Sequence, residues 1–166
     1  MADYLVINMS SPNTPGLRLL QGKQEFEALM SEVMEARNQY LTDKTLFDQN
    51  WHNIKMPILV KIDPDLSPQD KINIAELIMN NPKCKVDGLI VSNTTNSRPL
   101  SLKSSLKHET GGLSGKPLKS LATQTISDMY KLTNGNYRFF GIFLKKLKCI
   151  QVIIRVVRSS VLSILW

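Results

Sequence analysis

The chain has 166 residues, 42% of them hydrophobic, and a formal net charge of +7, enough for one domain with a real core. Six of its 21 basic residues lie after residue 137 with no acid among them, so the first 137 residues carry 15 basic against 14 acidic groups and are nearly neutral. That distribution argues against a nucleic-acid partner, and two isolated cysteines, Cys84 and Cys149, argue against a disulfide scaffold or a cysteine metal site.

Taken in order, residues 4–8 read as a short buried strand. It runs into Asn8-Met9-Ser10-Ser11-Pro12-Asn13-Thr14-Pro15-Gly16, small polar side chains held by two prolines and a glycine. Such a strand end has the pattern of an active-site rim, and equally that of a polar turn leaving a core strand. Residues 23–40 form a helix by the spacing of Phe26, Leu29, Met30, Val33 and Met34. A polar connection over 41–56 carries Trp51 and His52, which read as packing or surface residues. Residues 57–62 are a second strand. Ser67 and Pro68 mark a helix start, as N-cap and first helical residue, with the helix running to about Asn80. A third strand covers 86–92, a loop spans 98–116, and a helix over 117–132 ends at Asn134-Gly135. Strands alternating with helices give an α/β fold with a parallel sheet.

Four stretches then identify a resemblance. The first is Asn8-Met9-Ser10-Ser11-Pro12-Asn13-Thr14-Pro15-Gly16-Leu17-Arg18. The others are Leu59-Val60-Lys61-Ile62-Asp63-Pro64-Asp65-Leu66, Asp87-Gly88-Leu89-Ile90-Val91-Ser92-Asn93-Thr94-Thr95, and Glu109-Thr110-Gly111-Gly112-Leu113-Ser114-Gly115-Lys116-Pro117-Leu118. In that order they closely resemble the dihydroorotate dehydrogenase family over residues 2–137. The resemblance implies a partial (β/α)8 TIM barrel of about four βα units, since a complete one takes about 250 residues. Residues 1–137 are then the central part of an FMN-binding barrel, and the chain is expected to begin mid-fold.

By the same resemblance the activity is oxidation of dihydroorotate to orotate in pyrimidine biosynthesis, with FMN as cofactor and ubiquinone as final acceptor. Ser11 is the expected base. Cytosolic members commonly carry Cys there and membrane-associated, quinone-using members carry Ser, so Ser11 implies the quinone class. Serine is a poor base at neutral pH and needs help from its surroundings; Thr14 could join a path that carries the proton away. Ser11 also fits an ordinary turn hydroxyl before Pro12. Asn8, Asn13, Asn93 and Thr94 match substrate-binding positions, where carboxamides suit the alternating N–H and C=O edge of orotate. Asn8, Lys61, Ser92, Ser114 and Gly115 match positions that contact FMN. Lys61 sits in an apolar strand, where a lysine wants a negative charge nearby or a route to solvent. Gly111 to Gly115 could form a concavity of N–H groups for an anion. It is not a Walker A loop, because Thr110 and Pro117 stand where Gly and Ser or Thr are needed.

Residues 138–166 depart from the family, which continues with an apolar strand and a Gly-rich phosphate loop. Here Phe139 to Phe143 begins like a strand and runs into Leu144-Lys145-Lys146. Residues 150–166 are apolar but interrupted by Arg155 and Arg158, short of the ~20 residues of a membrane span. An amphipathic helix on a membrane surface is one reading; family sequence replaced at a mis-joined junction is the other. The resemblance places such enzymes at the mitochondrial inner membrane, attached to lipid through a preceding region, while no targeting segment opens this chain. Two alternatives stay open: a non-catalytic truncated product, and a related FMN-barrel enzyme acting on a pyrimidine ring.

Overall fold

The computed structural model describes residues 3–47, 55–145 and 148–154. Strand β1 (Leu5–Asn8) leads to helix α1 (Lys23–Phe47), β2 (Ile58–Ile62) to α2 (Pro68–Asn80), and β3 (Gly88–Val91) to α3 (Lys119–Leu132). Strands β4 (Phe139–Lys145) and β5 (Lys148–Ile154) follow. The sheet order is β1-β2-β3-β4-β5. The first four strands are parallel, and β5 lies antiparallel on β4.

Alternation along each strand divides the sheet into two faces. Ile58, Val60, Ile62, Leu89, Val91 and Phe139 share one core with Phe26, Met30 and Met34 of α1, Ile74 and Ile78 of α2, and Met129 of α3. All three helices therefore cover the same face. Full burial of such side chains contributes about 1.5–3 kcal/mol each. The opposite parity, paired across the sheet by register, is Val6–Leu59–Gly88 and Asn8–Lys61–Ile90. That second face turns polar at the C-terminal ends of the strands.

Local signals set the boundaries. Ser67 caps α2, its hydroxyl accepting from the Asp70 N–H at 3.1 Å, with Pro68 in the first turn. Helix α3 stops where Asn134 and Gly135 take positive φ of 51° and 68°. A 3₁₀ turn over Lys116–Leu118 precedes it, so the regular helix starts two residues later than expected. Lys71 of α2 and Asp128 of α3 pair at 2.9 Å. The buried Tyr137 hydroxyl donates to Val86 O at 2.5 Å and fixes the entry to β4.

Three expectations are corrected. The first strand is not buried: Leu5 and Val6 are each 39% exposed, because β1 is an edge strand paired only with β2 among the described residues. Helix α1 continues to Phe47, since residues 41–47 mix polar with apolar side chains and contain no Gly or Pro to stop it. Residues 150–154 form strand rather than amphipathic helix, as Val152, Ile153 and Ile154 favour. Trp51, His52 and the tail beyond Ile154 lie outside the described residues. No helix among the described residues is long and apolar enough to cross a membrane.

Gly88 has no room for a side chain. A Cβ there would sit 2.8 Å from the Phe140 ring, 3.0 Å from Arg138 O and 3.1 Å from Leu59 Cδ2. Gly88→Ala is expected to destabilise the fold by about 1–3 kcal/mol through overpacking, read as a lower urea midpoint at unchanged slope.

Candidate active site

The C-terminal ends of β1, β2 and β3 bring three loops together. At their centre is a hydrogen-bonded cluster. Asn93 Nδ2 donates to Asn8 Oδ1 at 3.2 Å and to Ser10 Oγ at 3.0 Å. Ser10 Oγ donates to Asn8 Oδ1 at 3.2 Å. Ser10 and Asn93 are buried, at 0% and 8% exposure, while Asn8 is exposed. Asn93 is itself held: its N–H donates to Ile62 O, and its Oδ1 accepts from the Thr94 N–H, both at 2.9 Å. Ser92, buried, donates its hydroxyl to Asn93 O at 2.9 Å.

Lys61 is the register partner of Asn8 across the β1–β2 pair. It is half-buried, and no described residue forms an ion pair or hydrogen bond with its amine. Ser11 is half-buried, and its Oγ accepts from the Asn13 N–H at 3.3 Å. Asn13 and Thr14 are exposed, and among the described residues no hydrogen bond links Thr14 to Ser11. The Gly111–Gly112 turn closes on this loop. A Cβ on Gly112 would fall 1.8 Å from Thr94 Oγ1 and 2.9 Å from Pro12 Cγ, and one on Gly111 would lie 3.6 Å from Asn13 Oδ1. Ser114 is exposed and Gly115 takes φ 77° with open space beside it; neither is hydrogen-bonded to the cluster. The site is an open face. A concavity of about 270 Å³ lies elsewhere, between α2 and α3, lined by Ile72, Ala75, Met79 and Leu132.

Arg18 ties the three loops. It pairs with Asp63 at 2.7 Å and Asp65 at 3.2 Å, and donates to Ser10 O at 3.3 Å and Thr94 O at 2.9 Å. Asp65 also accepts from the Thr95 hydroxyl and, at 2.8 Å, from the Asn96 N–H. Burial pushes the Asp63 carboxyl up to about 6, against the pull of the Asp65 N–H and the Arg18 charge. Burial acts the same way on Asp65, but bonds from Thr95, Asn96 and Arg18 outweigh it and hold this carboxyl below its ordinary value.

The sequence reading gave no role to Ser10, Arg18, Asp63, Asp65 or Arg98. The available signals were the one arginine closing the first polar loop and two acids flanking Pro64 after an apolar strand. Nothing local marks Ser10 as the buried one of the Ser10-Ser11 pair.

A parallel sheet with helices on one face and a polar cluster at its strand C-termini is the working end of a (β/α) barrel. The chain belongs to the dihydroorotate dehydrogenase family, whose model matches residues 1–142. The match continues through the first part of β4, past residue 137. The mitochondrial dihydroorotate dehydrogenase (quinone) of Mus musculus is 49% identical over 142 residues, covering 86% of this chain and 33% of that protein. The dihydroorotate dehydrogenase (quinone) of Xanthobacter autotrophicus is 44% identical, covering 86% and 37%. In solved structures, DHODH of Eimeria tenella in complex with ferulenol superposes at a TM-score of 0.74 with 42% identity, covering 84% of this chain and 38% of that one. The fold is a partial barrel, and the chain spans about a third of the length of the curated relatives it matches.

Asp63 makes the clamp pH-dependent. A carboxyl whose folded pKa is raised binds protons more readily in the folded chain than in the unfolded one between pH 3.8 and about 6. Its burial therefore costs nothing below about pH 4, and the cost grows as pH rises through 6. Urea unfolding of wild type and Asp63→Asn at pH 4, 5, 6 and 7 is expected to show their stability difference moving in the mutant's favour with rising pH. A constant difference would mean Asp63 ionises alike in both states.

Proposed function

We propose that this chain carries one wall of a site that oxidises dihydroorotate to orotate, with FMN as hydride acceptor and ubiquinone as final acceptor. The observation that carries this reading is the Asn8–Ser10–Asn93 cluster beside the unpaired Lys61 at the ends of adjacent strands. The relatives named above are quinone-type dihydroorotate dehydrogenases, and those of mouse and rice are named mitochondrial. That supports the same acceptor class and a mitochondrial location, and the proposal adds attachment to the inner membrane.

Each residue has a task set by its place. Asn8 Oδ1 is occupied by Ser10 and Asn93, which turns the Asn8 amide nitrogen outward as a donor. Asn13 and Thr94 flank it and hold the ring edge of the substrate. The substrate loses a proton from one ring carbon to Ser11 Oγ and a hydride from the neighbouring carbon, and a C=C bond forms between them. The Asn13 N–H already points at Ser11 Oγ and stabilises the alkoxide that makes serine competent. Thr14, exposed three residues on and not hydrogen-bonded to Ser11, takes the proton onward through intervening water.

The residues present fit FMN in part. A half-buried, unpaired ammonium suits a ring that becomes anionic, and Asn8, Ser92, Ser114 and the open backbone at Gly115 fit polar contacts around it. When bound, FMN supplies the two-electron acceptor on the face opposite the base. The 166 residues span about a third of the relatives' length, so this stretch of chain by itself is expected to hold FMN weakly and to show no turnover.

The test is titration of the purified chain with orotate and with FMN, followed by backbone amide NMR. Orotate is expected to shift the Asn8, Asn93 and Thr94 signals, with Asn93→Ala abolishing the response. Lys61→Met is expected to weaken FMN about tenfold, the loss of one charge-assisted contact. Absence of any orotate response would overturn the substrate reading. Stoichiometric flavin absorbance bleached by dihydroorotate would overturn the expectation of an inactive chain.

A further inference from the structure

Residues 96–112 leave the sheet as one long loop whose base is closed by a bridge between Thr95 and Leu113, with N–H···O bonds of 3.0 and 2.7 Å. One side chain, Arg98, bonds across it. Arg98 Nε donates to Lys107 O at 3.1 Å, and one terminal nitrogen donates to Glu109 O at 2.9 Å and Gly111 O at 2.7 Å. The other terminal nitrogen reaches Thr95 O, Asn96 O and Ser97 O at 3.2–3.5 Å. Among the described residues no carboxylate pairs with it. A guanidinium spent wholly on main-chain carbonyls neutralises no acid; it sets the path of the chain.

The path matters because of where it ends. Beyond Gly111 O, the Gly112 backbone packs so tightly on Thr94 and Pro12 that a Cβ would overlap Thr94 Oγ1, and Gly111 faces Asn13. The start of the loop is pinned separately, through Thr95 and Asn96, to Asp65. Arg98 is thus the one described side chain bonded to both limbs of the loop.

We propose that Arg98 is a positioning residue of the strand-end site: by binding the carbonyls of both limbs it holds the Gly111–Gly112 turn against Pro12, Asn13 and Thr94. This rests on the reading of Asn13 and Thr94 as substrate contacts. Lysine cannot substitute, because a point ammonium does not span carbonyls on three sides.

The test uses the full chain carrying Arg98→Lys or Arg98→Ala, with backbone amide NMR and orotate as the probe. Both variants are expected to shift the Gly112, Thr94 and Asn13 signals, leave those of α1 and α2 in place, and weaken orotate about tenfold. Millimolar guanidinium is expected to restore the three signals and the affinity in Arg98→Ala but not in Arg98→Lys, a rescue that general loss of stability would not give. Lys103→Ala, an exposed change on the same loop, is expected to do nothing. Unmoved Thr94 and Asn13 signals in both Arg98 variants, or no rescue by guanidinium, would overturn the proposal. If Arg98 variants do not fold, Gly112→Ala decides: its Cβ must displace Thr94, and an unchanged Thr94 signal overturns the proposed coupling. If wild type shows no response to orotate, the substrate reading fails, while the three signals and their rescue still settle the role of Arg98.

Discussion

The contact on which the site depends is the Arg18 guanidinium between the three strand-end loops. A sheet aligns the strands, but it says nothing about loops once the ladder stops. Arg18 binds a carbonyl from the first loop, two carboxylates from the second and a carbonyl from the third. Each partner is needed for a different reason. The carboxylates balance a charge that is only one-fifth exposed, and the carbonyls take two of the other donors. Removing one partner of such a pair typically costs about 3–5 kcal/mol, because the other charge stays behind. The raised Asp63 carboxyl shows the strain of the arrangement: even beside Arg18, burial dominates.

Strand alternation supplies the rest of the geometry. One parity feeds the helix-covered core, and its residues are apolar throughout. The other parity runs apolar to polar along the strand direction, from Val6 to Asn8 and from Leu59 to Lys61. Polar groups therefore accumulate at one end of one face without disturbing the core behind them. A shift of a single residue in register would drive Lys61 into the helix layer and Ile62 out of it. The same sheet can hence be judged by its core for stability and by its far rim for chemistry.

The sequence carried the skeleton in local signals: Ser67-Pro68 opens α2, Asn134-Gly135 ends α3, and apolar runs mark β2 and β3. These are legible because a cap or a turn is decided by a few neighbouring atoms. The exposure of β1 was not legible, since Tyr4 to Ile7 looks like any buried run until its place at the sheet edge is known. Polarity over residues 41–56 suggested a connection, but nothing in Leu41-Thr42-Asp43-Lys44 breaks a helix. In the site, Asn8 and Asn93 came from the resemblance, and the structure brings them within 3.2 Å. Ser10 stayed hidden because its buried hydroxyl depends on a partner 83 residues away in sequence, and Arg98 because its partners are main-chain carbonyls, which carry no residue signature.

What the cluster leaves unsatisfied defines the ligand. Among the described residues every buried side-chain nitrogen or oxygen has at least one partner, so Ser10, Asn93 and Ser92 are held in place by bonds within the wall. Beside Asn13 and Thr94, the groups with capacity to spare include the Asn8 amide nitrogen, the Lys61 ammonium and the Ser11 hydroxyl. Asn8, Lys61 and Ser11 can all donate, and among the described residues no acid forms an ion pair with Lys61. A site that presents donors and a cation selects a ligand rich in acceptors and negative charge. A carbonyl-bearing ring with a carboxylate meets that demand, as does an electron-accepting ring that turns anionic. A neutral apolar ligand would leave the lysine uncompensated, which is the costlier state. The chemistry of the wall thus narrows its occupant before any particular molecule is placed against it.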